Sequence, residues 1–194
     1  MTDDRSPRLL DRRRAVLVVI DVQERYRTVL HGWQRVTTAT ELLLNGVALL
    51  DIPTLVTEQY PRGLGHTAAE LARVLGKTAR VIEKQTLSCC RNPAFVEALK
   101  ATGRRQVLVA GIETHACVNQ TVHDLIAMGW EVHVARDATS SRLEEDVAPA
   151  WDKMLAAGML PTTSEQALLE LVETAEAQEF RSLQTLIKNA PRWR

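Results

Sequence analysis

No apolar run in this 194-residue chain approaches the roughly 20 residues that a membrane-spanning helix needs. The chain also carries no net charge, since 24 lysines and arginines balance 24 aspartates and glutamates. That balance argues against a broad electrostatic grip on nucleic acid or on an anionic membrane. Cysteine is scarce. The three present, Cys89, Cys90 and Cys117, include an adjacent pair, which makes a poor disulfide framework and agrees with a reducing compartment. The amino terminus (MTDDRSPRLLDRRR) is charged and is not followed by a signal-type apolar block with a cleavage site, so a cytoplasmic location is expected. Internal repeats, low-complexity tracts and linkers are missing too. With a length suited to one core, residues 1–194 read as a single domain. Residues 1–14 read as a charged leader, with 12–14 a solvated arginine run, and 176–194 as a last helix and tail.

What is present is an alternation of short apolar runs and helical stripes, in a chain that is 45% hydrophobic and 25% charged. AVLVVI (15–20) is a continuous β-branched run ending at Asp21, the pattern of a strand covered on both faces. Further strands are predicted over 54–57, 80–83 (ending at Lys84), 106–110 (closed by Gly111), 130–135 and 159–162. Helices are predicted over 37–50, 68–74, from Pro93 to a stop at Gly103, after Cys117, and over 144–157, 164–174 and 176–188. Repeated βα units of this length predict an α/β fold with a mostly parallel sheet between two helix layers.

The chemistry lies where strands end. Val118, Val122, Leu125 and Ile126 carry helical spacing, so Cys117 falls in the first turn of a helix just past the fourth strand. A thiol there meets unpaired N–H groups and the positive end of the helix dipole, which favours thiolate. In a parallel sheet, Asp21, Lys84 and Cys117 all reach the same edge, where α/β sheets place their ligand crevices. A thiol beside a carboxylate and an ammonium supplies a nucleophile, its base and a charge partner.

The segments VLVVIDVQERY, VIEKQTLSCC and GIETHACVNQTVHDLIAMGWEVHVARDATSSR resemble the signature segments of the isochorismatase-like cysteine hydrolases, over about residues 15–164. The similarity is to the branch of small isochorismatase-domain hydrolases, in which TEQYPRGLG and TTSEQALLEL also look familiar. The resemblance implies a Rossmann-like three-layer fold with six strands in the order 3-2-1-4-5-6. It implies a catalytic triad of Asp21, Lys84 and Cys117, a cis peptide between Ile112 and Glu113, and an oxyanion hole from the N–H groups of Glu113 and Cys117. The expected activity is cleavage of a C–N, amide-like bond of a small molecule through a cysteine thioester. The nicotinamidases of the family carry an Asp-x-His metal motif after the second strand. Here that stretch is Glu58-Gln59-Tyr60 with only His66 nearby, so no metal and no cofactor are expected. Family resemblance also implies a homo-oligomer, with aromatic surface such as Trp151 available to an interface.

By position alone, Gln23, Tyr26, Gln59, Tyr60, Leu87, Ser88 and His115 are candidate substrate contacts. Cys89 and Cys90 read as small buried hydrophobes, His123 as structural, and Thr139-Ser140-Ser141 as turn and cap residues. Trp33, Trp130, Trp151 and Trp193 form no stacking stripe and suit packing or interface roles. Two other functions stay open: a vinyl ether hydrolase of the isochorismatase type, which needs no thiol, and a non-catalytic binding or assembly protein on the same fold.

Overall fold

The structure is a computed structural model that describes residues 5–191. In chain order it contains β1 (Ala15–Ile20), α1 (Trp33–Leu49), β2 (Thr54–Gln59), α2 (Pro61–Leu64), α3 (Ala69–Ala72), β3 (Ala79–Lys84) and α4 (Pro93–Ala101). There follow β4 (Gln106–Ile112), α5 (Asn119–Ala127), β5 (Glu131–Ser140), α6 (Val147–Ala156), β6 (Leu160–Thr162), α7 (Ser164–Val172) and α8 (Phe180–Asn189). The strands form one sheet in the order β3-β2-β1-β4-β5-β6, with every pairing parallel. This is the architecture and strand order expected.

β1 shows why the sheet needs two helix layers. Successive side chains of a strand point to opposite faces. Ala15, Leu17 and Val19 therefore join the cluster packed by α1, α7 and α8. Val16, Val18 and Ile20 join the one packed by α4, α5 and α6, around Phe95, Val122 and Met154. Local signals set the helix ends. The Asn92 side chain accepts from Ala94 N and Pro93 opens α4, while Gly103, at φ +67°, lies just past its end. Among the described residues no helix is long and apolar enough to cross a membrane.

Several elements differ from expectation. β4 does not stop at Gly111 but runs on to Ile112. Gly111 sits at φ +125°, and a Cβ there would lie 2.1 Å from the backbone oxygen of Ile20. The glycine thus permits a close approach of β4 to β1 and does not end the strand. β5 continues beyond residue 135 to Ser140, because Thr139 and Ser140 pair with Gly111 and Ile112. The serines of 139–141 are consequently strand-end ties; Ser140 Oγ donates to the carbonyl of His31 (2.7 Å). α1 begins at Trp33, ahead of residue 37, with the Arg27 guanidinium 5.2 Å from its ring. The 68–74 helix shrinks to the single turn of α3. A 3-10 turn over Glu144–Asp146 precedes α6, and the last helix starts only at Phe180.

Of residues 12–14, Arg13 is exposed as expected, but Arg12 and Arg14 are tied into the fold. Arg12 donates to Leu50 O (2.7 Å) and pairs with Glu179 (2.8 Å), while Arg14 pairs with Glu131. Leu10 beside them is fully buried, so this stretch is bolted to the sheet's amino edge. Trp151 is buried against Met154 beneath Arg136, which removes it from any surface. Trp193 lies outside the described residues.

Gly111→Ala should cost about 3 kcal/mol or more, from left-handed strain together with overpacking. Gly103→Ala meets nothing within 4 Å and should cost only about 1 kcal/mol. Denaturant midpoints of the two variants give the comparison, and equal midpoints would refute the close-approach reading.

Candidate active site

Three parallel strands deliver three side chains to one point. Asp21 is the first residue past β1 and takes φ +54°, a left-handed conformation that aspartate tolerates better than most residues. Its N–H donates to Thr57 O (3.1 Å), and Gln23 N donates back to its carbonyl (2.8 Å). The register pairs Ile20 with Thr57, which brings the Thr57 hydroxyl to Asp21 Oδ1 at 2.7 Å. Lys84 ends β3, with its side chain entirely buried. Its ammonium lies 2.6 Å from Asp21 Oδ2. It donates to Gln59 Oε1 (2.7 Å), to the carbonyls of Thr86 (3.1 Å) and Leu87 (3.2 Å), and to Cys117 Sγ (3.6 Å).

Cys117 lies in a π turn, Thr114–Val118, and not in the first turn of a regular α-helix. The Glu113 carbonyl accepts from Ala116 N (3.0 Å) and Val118 N (3.2 Å), so the turn is widened. Such turns cluster at functional sites. The Ile112–Glu113 peptide just before it is cis. The Glu113 carboxylate is buried, and its Oε1 accepts from both Arg142 N and Arg142 Nε at 2.9 Å.

The electrostatics correct one expectation. Helix-start position does not yield a resting thiolate. Burial, and then the Asp21 carboxylate, push the Cys117 thiol up to about 12; the Lys84 ammonium acts in the opposite sense but does not prevail. Lys84 itself is raised: burial alone would lower it, and the Asp21 carboxylate overcomes that. The resting site is therefore an ion pair, Lys84 with Asp21, beside a neutral thiol. Tyr26 is also pushed up to about 12, by burial and then by Glu113, Cys117 and Asp21.

The other candidate contacts divide. Gln59 reaches Lys84, Leu87 offers it a carbonyl, and Tyr60 N donates to Lys84 O (3.0 Å). Gln23 is fully buried, and its amide bridges Gln59 N, Gln59 O and Gly65 O. Ser88 is buried and donates to Asp124 (2.7 Å). Both are braces whose polar atoms are already committed to the protein. His115 Nδ1 lies 2.9 Å from Ser141 Oγ, so it faces the end of β5. Cys89 is fully buried, with its sulfur 3.8 Å from Thr57 Oγ1. Two residues that hold the site, Thr57 and Arg142, escape sequence reasoning. Thr57 is visible only through strand register, and Arg142 only through the turn that follows β5.

In the stretch after β2, Glu58 accepts from Thr67 N and Oγ1 (2.7 Å each) and pairs with His66 (2.9 Å). These residues brace a loop. Among the described residues no group of three or more histidine, cysteine, aspartate or glutamate side chains is placed to hold a metal.

An isochorismatase domain model matches residues 15–166. Isochorismatase domain-containing protein 1 of Salmo salar is 39% identical over 173 residues, covering 89% of this chain and 60% of the salmon protein. The chain thus spans about 60% of the length of the first relatives it matches. Among solved structures, the MAR1 ribonuclease of Caenorhabditis elegans is 37% identical with a TM-score of 0.90, covering 95% of each chain. The YcaC gene product of Escherichia coli, described as an octameric hydrolase of unknown specificity, is 26% identical with a TM-score of 0.89, covering 96% of this chain and 92% of its own. The chain belongs to the isochorismatase family.

Lys84→Ala leaves the Asp21 carboxylate buried without its counter-charge and should cost about 3–5 kcal/mol in denaturant unfolding. Adding Asp21→Asn to it should recover part of that loss; no recovery would show that the pair is not what the lysine supports. For the loop brace, Glu58 is lowered: burial opposes this, but the Thr67 N–H, His66 and the Thr67 hydroxyl prevail. His66 is raised by its hydrogen bond to Glu58 and by that charge. Glu58 thus contributes stability that is present above its unfolded pKa and lost as pH falls through its lowered folded value. The His66 contribution is present below its unfolded pKa and lost as pH rises through its raised folded value. The brace should hold between those two folded values. In an NMR titration, Glu58→Gln should bring the His66 ring back toward its ordinary midpoint.

Proposed function

We propose that this chain is a cysteine-dependent hydrolase that cleaves the C–N bond of a small amide-like molecule. The observation that carries the reading is the Lys84 ammonium seated between Asp21 Oδ2 (2.6 Å) and Cys117 Sγ (3.6 Å) inside the protein. Asp21 takes the proton of the Cys117 thiol. This exchanges one anion for another beside the same cation, so the net charge of the buried cluster does not change. Little extra desolvation is incurred, which is how a thiol with a raised pKa can still attack. The sulfur adds to the carbonyl carbon, and the N–H groups of Glu113 and Cys117 hold the oxyanion. One such donor is typically worth about 2.7–4 kcal/mol in the transition state. Asp21 then gives its proton to the leaving amine as the C–N bond breaks, leaving a thioester. Water hydrolyses that to the acid and returns the thiol.

Membership of the isochorismatase family supports hydrolysis as the reaction class. The YcaC octamer supports self-association here, and three free cysteines suit the reducing cytoplasm. The MAR1 relative is named a ribonuclease, which makes RNA a necessary arm of any substrate panel. A buried, fully paired lysine offers little to a phosphodiester backbone, so this arm is expected to be silent.

Amides, ureas, carbamates and RNA should be screened with wild type and Cys117→Ala in parallel. Turnover of an amide-class compound should vanish in Cys117→Ala while the fold is retained; hydrolysis undiminished by the substitution would refute the scheme and favour a thiol-free vinyl ether hydrolase. Asp21→Asn should separate two effects. Removing the carboxylate charge leaves the Lys84 ammonium to act on the thiol alone, so the Cys117 pKa falls. Alkylation of Cys117 at neutral pH should then rise several-fold while turnover is lost.

A further inference from the structure

Exposed apolar side chains stand at the same sheet edge as the site. The four most exposed large apolar side chains among the described residues are Leu143 (56%), Val29 (52%), Tyr60 (49%) and Leu87 (47%). Each follows a different strand, on loops after β5, β1, β2 and β3 in turn. In a parallel sheet all four loops leave at one edge, the edge at which Cys117 follows β4. Two of them are tied directly to the central groups. The Leu87 carbonyl accepts from Lys84 Nζ, and Leu143 follows Arg142, whose N–H and guanidinium hold Glu113. Exposed apolar side chains scattered singly need no explanation, whereas several at the edge that carries a reactive centre, two of them on segments bonded to it, are candidates for a recognition surface.

The centre has a complementary property: its charges are spent. Lys84 is paired with Asp21, and Glu113 with Arg142. Asp21, Lys84 and Glu113 are all buried. A substrate carboxylate reaching the thiol would compete with Asp21 for the Lys84 ammonium, and a substrate ammonium would compete with Lys84 for the Asp21 carboxylate. Either would bring an unpaired charge into a desolvated site, a cost that a neutral molecule avoids.

Resting on the hydrolase reading above, we infer that the substrate is an electrically neutral amide carrying an apolar substituent, with Leu87 and Leu143 gripping that substituent at the mouth. Charge selection comes from the paired interior and chain-length selection from the rim.

The inference is tested without requiring turnover, by following alkylation of Cys117 itself by peptide mass spectrometry on the full chain. The probes are iodoacetamide, iodoacetate and N-butyl iodoacetamide, with glutathione as the reference thiol. Relative to glutathione, Cys117 should prefer iodoacetamide over iodoacetate by at least about tenfold, and N-butyl iodoacetamide over iodoacetamide by several-fold. Leu87→Ser with Leu143→Ser should abolish the butyl preference and leave the charge preference. Leu87→Lys should reduce the discrimination against iodoacetate. Ratios equal to those of glutathione, a butyl preference that survives the double variant, or a Cys117 that none of the probes reaches would each overturn the inference. Failure of the hydrolase reading looks different: the labelling preferences persist while no compound in the panel is turned over. Turnover of anionic and neutral amides with equal kcat/KM would leave the hydrolase standing and sink only the proposed selectivity.

Discussion

A lysine whose side chain is wholly enclosed must either lose its proton or find a counter-charge within the protein. Lys84 does the second, against Asp21 at 2.6 Å, and the surrounding structure is arranged to make that pair tolerable. Thr57 takes the other carboxylate oxygen. Gln59 and the carbonyls of Thr86 and Leu87 take the remaining ammonium capacity. A buried pair is weak evidence of net stabilisation, because desolvating two ions costs several kcal/mol each. Its value here is chemical. In the proposed mechanism it holds one positive charge beside a neutral thiol, where it can stabilise an anion on either the carboxylate or the sulfur.

That constraint explains otherwise unrelated details. The left-handed conformation of Asp21, the lack of a side chain at Gly111 and the widened turn at Thr114–Val118 all lie where β1 and β4 approach each other. The β4–β5 register shifts between Val109 and Gly111, and β5 then runs on to carry Arg142 to Glu113. Ser140 and Ser141 tie that strand end to the neighbouring loop and to His115. Gln23 and Ser88 likewise hold the loops in place with buried polar atoms, which leaves the apolar side chains of those loops free to face outward.

The chain's continuous apolar runs, its βα alternation and the polar residue or glycine after the runs made the fold class legible, because doubly covered strands and period-3.6 stripes reflect local geometry that burial enforces. Asp21, Lys84 and Cys117 were legible for the same reason: each lies at or just beyond the carboxyl end of an apolar run. Less legible were the element ends. The start of α1 at Trp33, the extension of β5 and the shortness of α3 depend on pairing and packing partners distant in sequence. Arg12 and Arg14 read as solvated because charge alone carries no sign of Leu50 O, Glu179 or Glu131 waiting for them.

By itself, then, the sequence determined which side chains would stand at one end of a parallel sheet and that a thiol would be among them. The tertiary structure decided that the thiol's pKa is raised, since desolvation and the nearby Asp21 charge are properties of an assembled interior and not of a helix start. It also decided that Thr57 reaches Asp21 and Arg142 reaches Glu113, and that four exposed apolar residues, remote from one another along the chain, stand at the same sheet edge. Those facts follow from strand register and loop direction, and no local pattern of residues encodes either one.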